Sequence, residues 1–81
     1  MSIRVLFFAS LADITGAREF AVDAAGFTDI HSVFDSFVRD YPALESHRSS
    51  VLFAVNSSFA HAETPVRDGD EIAFFPPVSG G

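Results

Sequence analysis

Cysteine and lysine are both missing from this chain: its five cations are all arginines, set against eleven acidic residues in 81. Without cysteine there is no disulfide framework, no thiolate metal site, no iron–sulfur cluster and no cysteine nucleophile of its own. The formal charge of −6 repels phosphate backbones and anionic head groups. Neither nucleic acid nor a membrane surface is therefore an expected partner, whereas a basic protein is. No apolar run approaches the ~20 residues of a membrane span, and the first residues lack the basic-then-apolar pattern of a secretory leader. The expectation is a soluble, cytoplasmic protein. Eighty-one residues leave room for one folding unit and no second domain, and no internal repeat is visible.

Apolar material is plentiful. It makes up 48% of the chain and includes ten phenylalanines, although a domain this small buries only ~60% of its unfolded surface. There is more phenylalanine than a core needs.

Ile3 to Ala9 is a short run rich in β-branched and aromatic residues, predicted as a strand. Leu11 to Thr15 predicts one or two helical turns stopped by Gly16, the residue best able to adopt a left-handed cap. From Arg18 to Val22, Phe20 and Val22 alternate with Glu19 and Ala21, the period of a half-buried strand. Ile30, Val33, Phe34, Phe37, Val38 and Tyr41 then recur at spacings of three and four, which predicts an amphipathic helix. Thr28 or Asp29 can cap its first turn, and Pro42 ends it. Residues 43–50 are polar apart from Leu44 and read as a loop. Val51 to Val55 reads as a centrally buried strand closed by Asn56-Ser57-Ser58, and Phe59 to His61 as a weak edge strand. Asp68-Gly69-Asp70 is a turn signal. Glu71 to Phe75 is the last strand, stopped by Pro76-Pro77, which cannot donate ladder hydrogen bonds. This order gives an α+β fold, a mixed sheet of four or five strands packed on one main helix, matching the β-grasp roll. Residues 1–77 would form that domain and 78–81 a flexible tail. By analogy with that roll, the first and last strands are expected to pair in parallel at the centre.

The end of the chain, Phe75-Pro76-Pro77-Val78-Ser79-Gly80-Gly81, carries the functional signal. Gly80 and Gly81 have no Cβ and can thread a narrow channel. The prolines stiffen the exit from the sheet, and the four residues after Pro77 reach at most ~13–14 Å, deep enough for a partner's active site. With Gly at ~7% of residues, a chance terminal pair arises about once in 200 chains, so the dipeptide alone is not diagnostic. An α-carboxylate is a poor electrophile that needs activation. Conversion to an acyl-adenylate by a separate ATP-using enzyme supplies a leaving group, after which sulfur gives a thiocarboxylate or an amine gives an amide.

Leu6-Phe7-Phe8-Ala9, Ala54-Val55-Asn56, Asp68-Gly69-Asp70-Glu71 and the octet Phe74 to Gly81, in this order of elements, closely resemble the MoaD-type small subunits of molybdopterin synthase, ubiquitin-like sulfur carriers. The resemblance covers nearly the whole chain. The octet is its specific part, whereas the Asp68-Gly69-Asp70 turn is shared by many β-grasp proteins. Phe53 and Phe59 are bulkier than the pattern, and residues 43–50 match none of it.

The resemblance implies that Gly81, preceded by Gly80, is adenylated by a ubiquitin-activating-like adenylyltransferase and receives sulfur from a donor protein as a thiocarboxylate. It then donates that sulfur to a cyclic pyranopterin phosphate held by the large subunit. Two charged carriers are consumed per dithiolene, and the assembly is a heterotetramer with carriers at opposite ends of a large-subunit dimer. The chain would bind no cofactor itself, ATP being used by the activating enzyme, and would not be an enzyme on its own.

The surplus aromatics lead to an interface independently. Alternation puts Arg4, Leu6 and Phe8 on one face of the first strand, and Glu71, Ala73 and Phe75 on one face of the last. These faces are expected to point away from the helix. Phe8 and Phe75, extended by Phe59, would then form an exposed patch at the root of the tail, continued by Pro76, Pro77, Val78 and Ser79. The alternative is that a loop covers Phe8 and Phe75. His31, His47 and His61 lack metal-ligand spacing, Asp68, Asp70 and Glu71 lack the rest of a calcium loop, and there is no Gly-rich phosphate loop. Three functions compete: a sulfur carrier, a protein modifier that ends in an isopeptide bond, and a binding module with an inert tail. Thiamine-type and transfer-RNA-type carriers share the Gly-Gly end but not the Phe-Phe-Pro-Pro approach to it.

Overall fold

The computed structural model describes residues 2–77. Five strands, β1 (Ser2–Phe7), β2 (Glu19–Asp23), β3 (Leu52–Val55), β4 (Ser58–Ala60) and β5 (Glu71–Phe75), form one mixed sheet in the order β2-β1-β5-β3-β4. The expected central parallel pair is present, with Val5 opposite Ile72 and Phe7 opposite Phe74. All other pairings are antiparallel.

The main helix, α2 (Ile30–Asp40), starts where the sequence offered two caps. Asp29 is the one used: its carboxylate accepts the Ser32 N–H at 2.8 Å, while the Ser32 hydroxyl accepts the Asp29 N–H at 3.2 Å. This reciprocal box satisfies two amides that a helix start leaves without partners. The short helix α1 (Ser10–Thr15) stops at Gly16, whose φ of 79° is the predicted left-handed cap.

Packing follows the alternation. Ile3, Val5, Phe7, Ile72 and Phe74 lie fully buried in one core with Ile30, Val33, Phe34 and Phe37 of α2. Phe7 stacks on Phe74 at 5.4 Å between centroids and meets Phe37 edge-on at 5.0 Å. Phe53, one of the bulky departures, is half-buried with its edge against Phe74 at 5.6 Å.

Two sequence expectations need correction. Residues 43–50 are not simply a loop, because Pro42–His47 forms a 3-10 helix that buries Leu44. Proline suits a first helical turn, and the turn is held from outside itself. Arg48 Nη2 donates to Asp35 Oδ1 of α2 at 2.6 Å, its Nε donates to Glu45 Oε2 at 2.7 Å, and its guanidinium lies 5.3 Å over the Phe34 ring. Its hydrogen bond holds the Glu45 carboxyl below its usual 4.5. The second correction concerns Val51 to Val55. The strand begins at Leu52 and is internal to the sheet, but Leu52 is exposed and Phe53, Ala54 and Val55 are only half-buried. An apolar run does not by itself distinguish burial on two faces from an uncovered aliphatic side chain.

The turn chemistry was legible. Asn56 (φ 50°) and Ser57 (φ 73°) form the two-residue β3–β4 hairpin, with Val55 opposite Ser58. Gly69, at φ 89°, sits in the Asp68-Gly69-Asp70 turn. No helix among the described residues is long and apolar enough to cross a membrane.

Candidate functional site

The sheet face opposite α2 is divided end to end. At the end where β1 begins, Arg4 donates to Glu71 Oε2 at 3.0 Å and pairs with Glu19 Oε2 at 3.1 Å, a charged ladder across β2, β1 and β5. These pairs are exposed and contribute ~0–1 kcal/mol at most. Beside them the Asn56 side chain accepts the Glu71 N–H and donates to Asp70, both at 3.0 Å. Asp70 and Glu71 are thus engaged in turn and ladder contacts.

At the other end the face is aromatic. Phe8 follows the last residue of β1, and its N–H donates to Phe74 O at 3.1 Å, which extends the ladder by one bond. Its ring is edge-on to Phe75 at 6.3 Å between centroids, and Phe59 of β4 meets Phe75 at 5.9 Å. Phe8 is 45% exposed and Phe59 80%, while Phe75 between them is half-buried. Among the described residues no loop covers Phe8. The sequence reading missed one member. Leu52, 36% exposed, is paired with Phe75 in the β3–β5 register and therefore shares its face. Its signal was the alternation Leu52-Ala54, masked by the neighbouring Val51 and Phe53.

Phe8 owes its position to the turn that follows. Leu11 N–H donates to Phe8 O at 3.1 Å, and between them Ala9 adopts φ 53°, ψ −130°. That combination belongs to the second position of a type II′ turn, where glycine is usual, so the chain stores strain next to the patch.

The chain leaves this same end through Pro76, half-buried, and Pro77, exposed. Val78, Ser79, Gly80 and Gly81, also predicted as site residues, lie outside the described residues. Of the remaining candidates, His31 Nδ1 lies 3.4 Å from Asp35 Oδ2 on the helix side. His61 lies in the β4–β5 connection, where its N–H donates to the Thr64 hydroxyl at 2.9 Å. What the face offers is shape and apolar area for a partner, adjacent to the exit of the chain.

A mixed five-stranded sheet with a parallel central pair and a capped helix across one face is the ubiquitin-like β-grasp roll. The chain belongs to the ThiS family, which its residues 5–81 match. It is 38% identical over 81 residues to the molybdopterin synthase sulfur carrier subunit of Escherichia coli, covering 98% of this chain and 99% of that one. It is 35% identical over 82 residues to small archaeal modifier protein 1 of Haloferax volcanii, covering 91% and 94%. The crystal structure of SAMP1 from that organism superposes with a TM-score of 0.82 at 34% identity over the full length of both chains. A chain of the complex between subunits 1 and 2 of the molybdopterin-converting factor from Helicobacter pylori matches with a TM-score of 0.67 at 27% identity, again over both full lengths.

Proposed function

We propose that this chain is the sulfur-carrier subunit of a molybdopterin synthase, a cytoplasmic protein that is not an enzyme on its own. The observation that carries the reading is the cluster of exposed Phe8, Leu52 and Phe59 around half-buried Phe75 at the root of Pro76-Pro77, beside a sequence that runs on to Gly80-Gly81. The likeness to a subunit within the Helicobacter pylori complex supports the same view.

On this reading the large subunit grips the aromatic patch, and residues 78–81 reach into its catalytic site. The Gly81 carboxylate attacks the α-phosphorus of ATP in the activating enzyme and pyrophosphate leaves. Hydrosulfide released by the donor then attacks the acyl carbon and expels AMP, its proton passing to solvent, which gives the thiocarboxylate. That sulfur passes to cyclic pyranopterin monophosphate, two carriers serving each dithiolene in a heterotetramer. This chain binds no cofactor, and a donor protein supplies the sulfur.

Intact mass spectrometry after incubation with the cognate activating enzyme, ATP and a sulfur source tests the reading: a gain of ~16 Da, oxygen replaced by sulfur, is expected. Conjugates to lysines of other proteins would instead favour a modifier, the second reading, which the identity to the Haloferax volcanii modifier keeps in play. An unchanged mass would overturn both. A residue appended after Gly81 is expected to abolish charging without unfolding the domain.

A further inference from the structure

The two edge strands of the sheet, β2 and β4, differ in how they are guarded. In β2 the bond from Phe7 N–H to Arg18 O at 2.8 Å sets the alternation. The backbone groups of Phe20 and Val22 turn towards β1, and those of Glu19, Ala21 and Asp23 turn outwards. A second copy paired antiparallel about Ala21 would set Glu19 against that copy's Asp23. Like charges directly opposite destabilise a strand pair, and charged side chains are a common protection of an open edge.

The other edge has no such guard. Ser58-Phe59-Ala60 of β4 carries neither charge nor proline, and Phe59 is 80% exposed. The neighbouring strands again set the alternation. Asn56 N–H donates to Glu71 O at 2.8 Å, so Ala54, opposite Ala73, bonds to β5. Phe53 and Val55 then bond to Ala60 and Ser58 of β4. The N–H and C=O of Phe59 therefore point away from β3, and no backbone group of another element among the described residues takes them up.

We propose that this edge pairs with itself, two copies of the chain joining β4 to β4 antiparallel about a two-fold axis at Phe59, so that their sheets become continuous. Each Phe59 N–H donates to the Phe59 carbonyl of the other copy, a self-complementary contact. Ser58 falls opposite the second copy's Ala60, so no charges oppose one another in the paired strands. Directly paired residues share a face, which brings the two Phe59 rings side by side opposite α2 and removes apolar surface from water. The contact is small. Edges of three residues with one ring per copy fall short of the ~800 Å² per partner of a stable interface, so the dimer is weak, with Kd on the order of 0.1–1 mM. Each copy carries a charge of −6, and salt, which screens their repulsion, tightens the pairing. The pairing belongs to the free chain and is independent of the carrier reading.

Sedimentation equilibrium of the full chain up to about 1 mM tests it, at about 0.02 and about 0.5 M NaCl. The native chain is expected to rise from the mass of one copy towards that of two, further at the higher salt. Phe59→Glu, which sets two carboxylates across the seam on Cα atoms ~5.5 Å apart, is expected to stay monomeric. Ala21→Glu, the same added charge on the other edge, is expected to associate as the native chain does at the higher salt. Disulfide trapping tests the register, since the chain has no cysteine of its own. In Phe59→Cys the two Cα atoms lie ~5.5 Å apart on the axis, within disulfide reach. In Ser58→Cys, also at an exposed position, they lie ~8 Å apart, beyond the ~7 Å limit. Under oxidised glutathione Phe59→Cys is expected to cross-link at least about tenfold faster than Ser58→Cys. A native chain that stays monomeric overturns the inference, as does association that weakens with salt. So does Phe59→Glu that still associates, Ala21→Glu that does not, or equal cross-linking of the two cysteine variants; none of these results touches the carrier reading.

Discussion

Phe74 and Phe75 are neighbours in one strand and meet opposite fates. Phe74 is fully buried between Phe7, Phe34 and Phe53, whereas Phe75 lies half-buried on the face opposite α2, between Phe8 and Phe59. Phe7 and Phe8 repeat the division one strand away. The same side chain thus serves cohesion on one face and recognition on the other, and only the two-residue period of the strand decides which. A run such as Phe-Phe is not a hydrophobic block but two separate commitments, one to the core and one to a partner.

The comparison is broken most severely from the core side. Phe74→Ala removes a ring packed by three others and is expected to cost about 3–5 kcal/mol, more than about 10 °C in Tm for a domain of this size. Thermal denaturation followed by circular dichroism measures it. Phe75→Ser is the mirror experiment: the free protein should melt within a few degrees of native, while affinity for the large subunit falls at least about tenfold by titration calorimetry. Should Phe75→Ser melt as low as Phe74→Ala, the division between the faces is wrong.

Smaller effects sharpen the picture away from the rings. Arg48→Ala should lower Tm by a few degrees at neutral pH through lost bonds to Asp35 and Glu45 and lost cover over Phe34. Because Arg48 depresses the Glu45 pKa in the folded state, the Glu45 contribution is present above its ordinary 4.5 and lost as pH falls through the lower folded value. The gap in Tm between native and variant should therefore narrow below about pH 4.5, which melts across pH 3–7 would reveal. Ala9→Gly should be stabilising by about 1 kcal/mol, because glycine relieves the positive φ. If it also weakens large-subunit binding, the strained turn is holding Phe8 in place.

Where local rules decide structure, the sequence could be read. The capped helix, the Gly16 stop, the Asn56-Ser57 hairpin and the alternation that assigns Phe7 and Phe8 to opposite faces all follow from spacing and turn chemistry. What was missed depends on partners distant in the chain. The 3-10 helix after Pro42 rests on Arg48 reaching Asp35, thirteen residues away. Leu52 belongs to the patch only because its register sets it against Phe75. Neither relation leaves a periodic trace. Of the candidate site, the aromatic part was legible as surplus phenylalanine, and the aliphatic part was hidden inside a run that looked like core.

The charged ladder and the aromatic patch occupy opposite poles of one face, and the first described residue lies at the charged pole. A bead, surface or fluorophore attached there would leave the adhesive pole facing outward. Every copy in such a layer would present the same side to solution, so binding could be timed on oriented molecules without touching the end that has to work.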